Sequence, residues 1–215
     1  MKTLLQKELR LAMHPTNLLF LSLSALLLIP NYPYYVTFFY TGLGLFFTCL
    51  SARENHDVEY TMALPVRKRD LVRARVLFAV LVELAQVALA VPFALLRQRL
   101  VPMGNQVGMD ANLAFFGFSF LLLGLFNYSF FTRYYRAPDK VGKAFAMAST
   151  GFFLCMVVLE TLTYALPVMR DQLDTPDPLF LSTKLLVLAA GLLLYGLLTL
   201  RTVQVASRRF EALDL

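Results

Sequence analysis

Apolar runs recur along this chain with short polar breaks between them, and the breaks carry as much information as the runs. Four runs, 76–96, 113–131, 144–166 and 179–200, have a comfortable length for crossing a bilayer, which takes about 20 residues. A fifth, 34–50, is adequate. The first apolar stretch, 17–29, is short and reaches across only if the turn from Leu11 joins it, giving a span of about 14–30. Pro15 is tolerated there because it falls near a helix start. Only the tetrapeptide PNYP separates the first two runs, so they form a tight hairpin. The pattern predicts an all-α integral membrane protein with five or six spans, six being the preferred count, in one transmembrane domain over 1–215.

Ahead of the first span, residues 1–13 predict an amphipathic interfacial helix. Leu5, Leu9 and Ala12 share one face, and Lys2, Gln6, Lys7 and Arg10 lie elsewhere around it. A plain extension of the first span is the alternative. A cleaved signal peptide is disfavoured, because no small-x-small site follows and the next span begins almost at once.

Composition agrees with the pattern. Apolar residues make up 58% and charged residues 16%, where soluble domains carry roughly a quarter charged residues. If the N-terminus is cytoplasmic, all but four of the 20 Lys and Arg fall on that side, within 2–10, 53–75, 133–143 and 201–209. The four on the other side are Arg97, Arg99, Arg170 and Lys184. Such a bias predicts an even number of spans with both termini cytoplasmic.

Searching for chemistry mostly excludes it. The chain has no G-x-x-x-x-G-K-[ST] phosphate loop, no H-E-x-x-H and no G-x-S-x-G. Asp171, Asp174 and Asp177 are spaced three apart, unlike a calcium loop; they read as an acidic turn, with TPDP capping the last helix. Cys49 and Cys155 both fall within predicted spans and read as small hydrophobes. No catalytic residue, metal site or nucleic-acid partner is expected.

Polar residues inside the spans call for an account. Glu83, Gln86 and Glu160 should face the bundle interior or a wet cavity, because an ionisable group in lipid is costly. They are candidates for a translocation path, with interhelical hydrogen bonding as the competing reading. Gly142, Ala146 and Thr150 form one row of small residues, and Gly117 and Gly124 mark another helix; such rows let helices approach closely within a bundle or between copies. Pro92 removes a backbone bond from the third span and predicts a kink.

The break at 51–75 is the most polar of all. Ser51, Asn55 and Asp57 are capping residues, Val58, Met62 and Leu64 follow at helical spacing, and Pro65 ends the helix. A short cytoplasmic surface helix follows from that pattern. The basic part, 67–75, suits anionic lipid headgroups. The acidic and aromatic part does not. Tyr60 and Met62 are good anchors for a soluble partner, and Glu54, Asp57 and Glu59 match a basic rim.

VEYTMALPVRKRDLVRAR resembles the segment after the second span of type-2 ABC transporter permeases, where E-Y/L-x-x-x-L-P-V/I-x-R/K is frequent. LLQKELRLAMHP is similar to their N-terminal amphipathic helix, with its Lys-Glu pair. The resemblance implies a permease that pairs with a second copy or a sister subunit and binds a separate ABC ATPase, which holds the ATP and magnesium. It implies that residues 54–64 form the coupling helix, with Glu54, Asp57, Glu59, Tyr60, Met62, Leu64, Pro65 and Arg67 at the ATPase. It also implies a bacterial plasma membrane and, given short outer loops, export of a small peptide or an antimicrobial, amphiphilic compound. Two other classes compete: a lipid-modifying membrane enzyme, for which no reactive loop is found, and a non-transporting scaffold or immunity protein.

Overall fold

A computed structural model describes residues 2–100 and 104–213. The chain is all-α, with no strand among the described residues. Among the described residues the main helices are, in order, α1 (Lys2–Ala12), α2 (Thr16–Leu28), α3 (Val36–Glu54), α4 (Asp57–Met62), α5 (Lys68–Leu100), α6 (Leu113–Tyr134), α7 (Val141–Ala165) and α8 (Leu181–Glu211), with short helical turns at Pro138–Lys140 and Met169–Leu173. α3, α5, α6, α7 and α8 are each long and apolar enough to cross a membrane. α1 and α2 together make a sixth candidate, broken by an 82° bend.

That bend follows from the sequence. Pro15 has no N–H to donate, and it pushes the residues before it out of helical geometry. Met13 is extended (φ −61°, ψ 118°), and α1 closes in a π-helical turn over Glu8–Ala12. α2 is α-helical to Ser22 and then winds as a 3₁₀-helix over Leu23–Leu28. Ser22 and Ser24 return their hydroxyls to the carbonyls of Leu19 and Leu21, a local bond that competes with the regular helical ladder. At their respective rises, α2 is about 22 Å long, short of the roughly 30 Å hydrocarbon core.

The long helices depart from the sequence reading at their ends. α5 begins at Lys68 rather than near 76, so its first two turns precede the apolar run. It continues as one helix through Pro92.

α6 is the most enclosed of the spans, and α8 packs along it. The two backbones nearly touch where glycine faces glycine: a Cβ on Gly191 would lie 2.0 Å from the Gly117 carbonyl oxygen, and one on Gly117 would lie 2.7 Å from that of Val187. No side chain fits between them, so the crossing depends on both glycines. Gly124 meets Leu198 and Tyr195 on the same pair of helices. Gly42 of α3 accepts the ring of Phe126, part of an aromatic core that includes Phe38, Phe115, Phe130 and Tyr134. The row Gly142, Ala146 and Thr150, by contrast, faces outward, with open space beside Gly142.

Candidate functional site

The two ends of the bundle are built differently. At the end carrying the termini, α4 is a short helix launched by His56 in the left-handed region (φ 52°). It has no side-chain cap, so neither Asn55 nor Asp57 caps it as the sequence suggested. It ends at Met62, and Glu54 belongs to α3. Val58 and Thr61 turn inward and are buried.

Beneath α4 lies a charge cluster drawn from three elements. The Arg75 side chain, 2% exposed, meets the wholly buried Glu8 through both Nε and Nη2, the latter at 3.2 Å. Arg75 Nη2 also reaches Asp57 Oδ2 at 2.8 Å. Lys7 pairs with the Asp57 carboxylate at 2.7 Å and donates to Thr61 Oγ1 at 3.2 Å. The cluster balances two positive charges against two negative ones, and it pins α4 to α1 and to the first turns of α5. Charges removed from water are tolerated only when paired in this way.

The coupling residues inferred from sequence therefore divide. Asp57 and the partly buried Met62 face the bundle, whereas Glu54, Glu59, Tyr60, Leu64, Pro65 and Arg67 face outward. Tyr60 on α4 and Leu64 in the turn after it are 73% and 59% exposed, so the helix stops short of Leu64 but both side chains stay on display. Beside them a groove of about 630 Å³ runs between α1 and the start of α5, with Leu4, Lys7, Pro65 and Arg67 among its walls.

Arg75 is a correction: the sequence grouped it with the headgroup-facing basic run, yet it is buried. Its signal was its place one residue before an unbroken apolar stretch. Glu8 had a signal too, since it falls between Leu5 and Ala12 on the face of α1 that turns inward.

The membrane-level polar residues tie helices together. Glu83 Oε2 accepts from Asn127 Nδ2 at 2.9 Å and from the Tyr195 hydroxyl, so it joins α5 to α6 and α8. Gln86 donates to Ser24 Oγ at 2.9 Å and joins α5 to α2. Glu160 accepts from the Met109 backbone N–H at 2.9 Å, on the loop before α6. Glu83 and Gln86 are wholly buried, and Glu160 is partly so. The structure thus places the three at separate junctions instead of along one surface.

At the end away from the termini, that loop is latched on every side. Arg97 donates to the Tyr34 hydroxyl (2.7 Å) and to the Gly104 carbonyl (3.1 Å). Asn105 reaches the Tyr32 carbonyl, and the Gln106 N–H reaches Asn31. The Asp110 N–H donates to Asp174 Oδ1 at 2.7 Å. Asn112 caps α6 by accepting from Phe115 N–H, while its amide donates to the carbonyls of Leu173 and Thr175. Asp177 accepts from Leu113 N–H and pairs with the buried Lys184 at 3.0 Å. The acidic turn therefore serves the start of α6, and α8 starts without a side-chain cap. Burial raises both Asp110 and Asp174 above the usual carboxylate range, Asp174 to about 6.

Among the described residues no cluster could hold a metal ion, and both cysteines are free. The class these features define is an all-helical, multi-pass membrane protein with a short helix held rigidly beyond its spans. The chain belongs to the ABC-2 family of transporter proteins, whose family profile matches residues 3–203. That match takes in α1 through α7 and most of α8, and it makes the chain a membrane permease of an ABC transporter. No curated protein and no solved structure matches it.

Proposed function

We propose that this permease exports a small peptide or an antimicrobial, amphiphilic compound, driven by ATP hydrolysis on a separate ATPase subunit. That subunit binds the ATP and magnesium, and this chain contributes no ATPase site. It works paired with a second copy or a sister permease in a bacterial plasma membrane, with both termini in the cytoplasm. The observation that carries the reading is the exposed pair Tyr60, on a helix clamped from beneath by Arg75 and Asp57, and Leu64, in the turn just past it. Apolar anchors on a rigid support suit a partner that must push on the bundle. Glu54, Glu59 and Arg67 form the polar rim, and Pro65 closes the helix exit. Asp57 and Met62 act from below as positioning residues. Short loops at the far end leave little surface for recognising a large cargo, which favours a small one. In the transport cycle the ties at Glu83, Gln86 and Glu160 are the polar groups a path through the bundle would have to release.

The test is gentle detergent extraction of the chain from its native membrane, with co-purifying proteins identified and quantified. A Walker-type ATPase is expected at about one copy per chain. Tyr60→Ala combined with Leu64→Asp should release it while leaving insertion intact. Recovery of the chain alone across several mild detergents would overturn the reading and favour a non-transporting scaffold.

A further inference from the structure

Five cations surround one cavity of about 700 Å³ at the end of the bundle that carries the termini. Arg133 comes from the last turn of α6, Arg136 and Lys140 from the turn between α6 and α7, Lys143 from the first turn of α7, and Arg209 from the last turn of α8. No carboxylate is among the cavity's lining residues, and among the described residues none of the five is ion-paired. Asp139 stands in the same turn but is exposed and outside the lining.

Two of the five have structural work. Arg133 Nη1 donates to the carbonyl and hydroxyl of Ser129 (2.9 and 2.7 Å), and Arg209 Nη1 donates to the Thr132 carbonyl at 2.7 Å. Cations there complement the carbonyl end of α6. Such a role does not extend to Arg136, Lys140 and Lys143, which are exposed. An anion in the cavity would offset the repulsion among like charges gathered there. The start of α7 adds to the attraction: a helix N-terminus favours negative charge, and open space surrounds Gly142 in its first turn.

The lower wall says which anion. Tyr128 and Met147 lie about one helical turn deeper than Arg133 and Lys143, on the side of the spans, and are 38% and 46% exposed. A free phosphate would use only the basic rim and leave this apolar wall unused. A phosphate carrying a hydrocarbon uses both. We propose that the cavity binds the headgroup phosphate of an anionic glycerophospholipid, with the glycerol and first acyl carbons along Tyr128 and Met147. Basic pockets between spans at headgroup level are suited to such ligands. The site stands apart from the α4 surface and does not depend on the transport reading.

The experiment uses the full purified chain, delipidated in detergent, and titrates it with phosphatidylglycerol, phosphatidylcholine or inorganic phosphate, read by native mass spectrometry. Phosphatidylglycerol should bind, and Arg136→Gln/Lys140→Gln/Lys143→Gln should weaken it roughly 100-fold, at about one fivefold step per cation. Arg69→Gln/Arg201→Gln/Arg208→Gln removes the same charge from exposed positions outside the cavity and should leave binding within about threefold of wild type. Arg136→Lys/Lys140→Arg/Lys143→Arg, which keeps the charge, should retain it. Should the neutral triple variant fail to fold, Lys140→Gln alone is read the same way, with about a fivefold loss expected. Equal weakening by the two neutral triples, equal binding of phosphatidylcholine, or full competition by millimolar inorganic phosphate would each overturn the assignment.

Discussion

Replacing Arg75 with methionine tests whether the charge cluster holds α4 in place. Met keeps much of the length and volume of the side chain but removes the guanidinium. Glu8 would then remain wholly buried, with Lys7 at 3.3 Å as its remaining cation. Asp57, 20% exposed at its side chain, would keep Lys7 at 2.7 Å. Breaking a buried pair by deleting one partner costs about 3–5 kcal/mol, and most of that should fall on Glu8. Glu8→Gln is milder, at roughly 1–3 kcal/mol, because Arg75 keeps its bond to Asp57. The double variant Arg75→Met/Glu8→Gln should recover part of the loss, with a coupling energy of about 0.5–3 kcal/mol. Arg53→Gln, which removes an exposed pair to Glu54 at 3.6 Å, is the reference and should cost under about 1 kcal/mol. Unfolding would be followed in detergent by denaturant titration, with hydrogen exchange read over 2–12 and 57–62. Faster exchange in both segments together is expected for Arg75→Met. A loss no larger than that of Arg53→Gln, or unchanged exchange at 57–62, would refute the clamp.

Gly191→Ala should destabilise the chain by about 1–3 kcal/mol or more, because the new methyl meets the Gly117 carbonyl. Gly196→Ala, one turn on and facing open space, should be close to neutral; equal thermal stability of the two variants would contradict the backbone contact. The latch at the far end should tighten in acid. Asp174 has a folded pKa of about 6, above the ordinary value near 3.9, so the folded state binds more protons between the two. Stability of the latch then rises as pH falls from about 7 toward 4, and Asp110 contributes in the same sense. Hydrogen exchange over 104–112, corrected for its intrinsic rate, should slow across that window and lose much of its pH dependence in Asp174→Asn; no change between the two proteins would exclude Asp174 as the source. Glu83→Gln keeps the acceptor that Tyr195 and Asn127 address. Normal expression with normal transport would identify Glu83 as a tie between helices, whereas an altered rate or selectivity would place it on the path.

Much of this architecture was legible in the sequence because lipid imposes simple demands. A run such as 113–131 needs only length and apolarity to declare itself, and the break at 51–75 is conspicuous among such neighbours. The turn at Pro65 was also readable, since proline acts on its own backbone and on the residue before it, whereas Pro15, read as tolerated near a helix start, breaks α1 from α2 instead of letting the turn from Leu11 join the span. What escaped depended on pairing across distance. Glu8 and Arg75 are 67 positions apart, and a surface arginine has the same letter as a buried one. The direction of Asp57 followed from that pairing and so escaped with it. Gly117 was noticed as a small residue, but its partner Gly191 becomes visible only once α6 and α8 cross. At the far end, Asn112 and Asp177 look like ordinary turn residues until the loop is folded over the spans.

The latched loop bears on where a cargo can leave. Residues 104–112 bond to the α2–α3 turn, to α5, to α7 and to the segment before α8. Each such bond contributes only about 0.5–1.5 kcal/mol net, but a channel through one chain would have to part them together. The flank of α7 is different: Gly142, Ala146 and Thr150 already face outward. For the paired permease proposed above, a route along that flank would require none of those bonds to break, which would put the lower barrier between chains rather than through one.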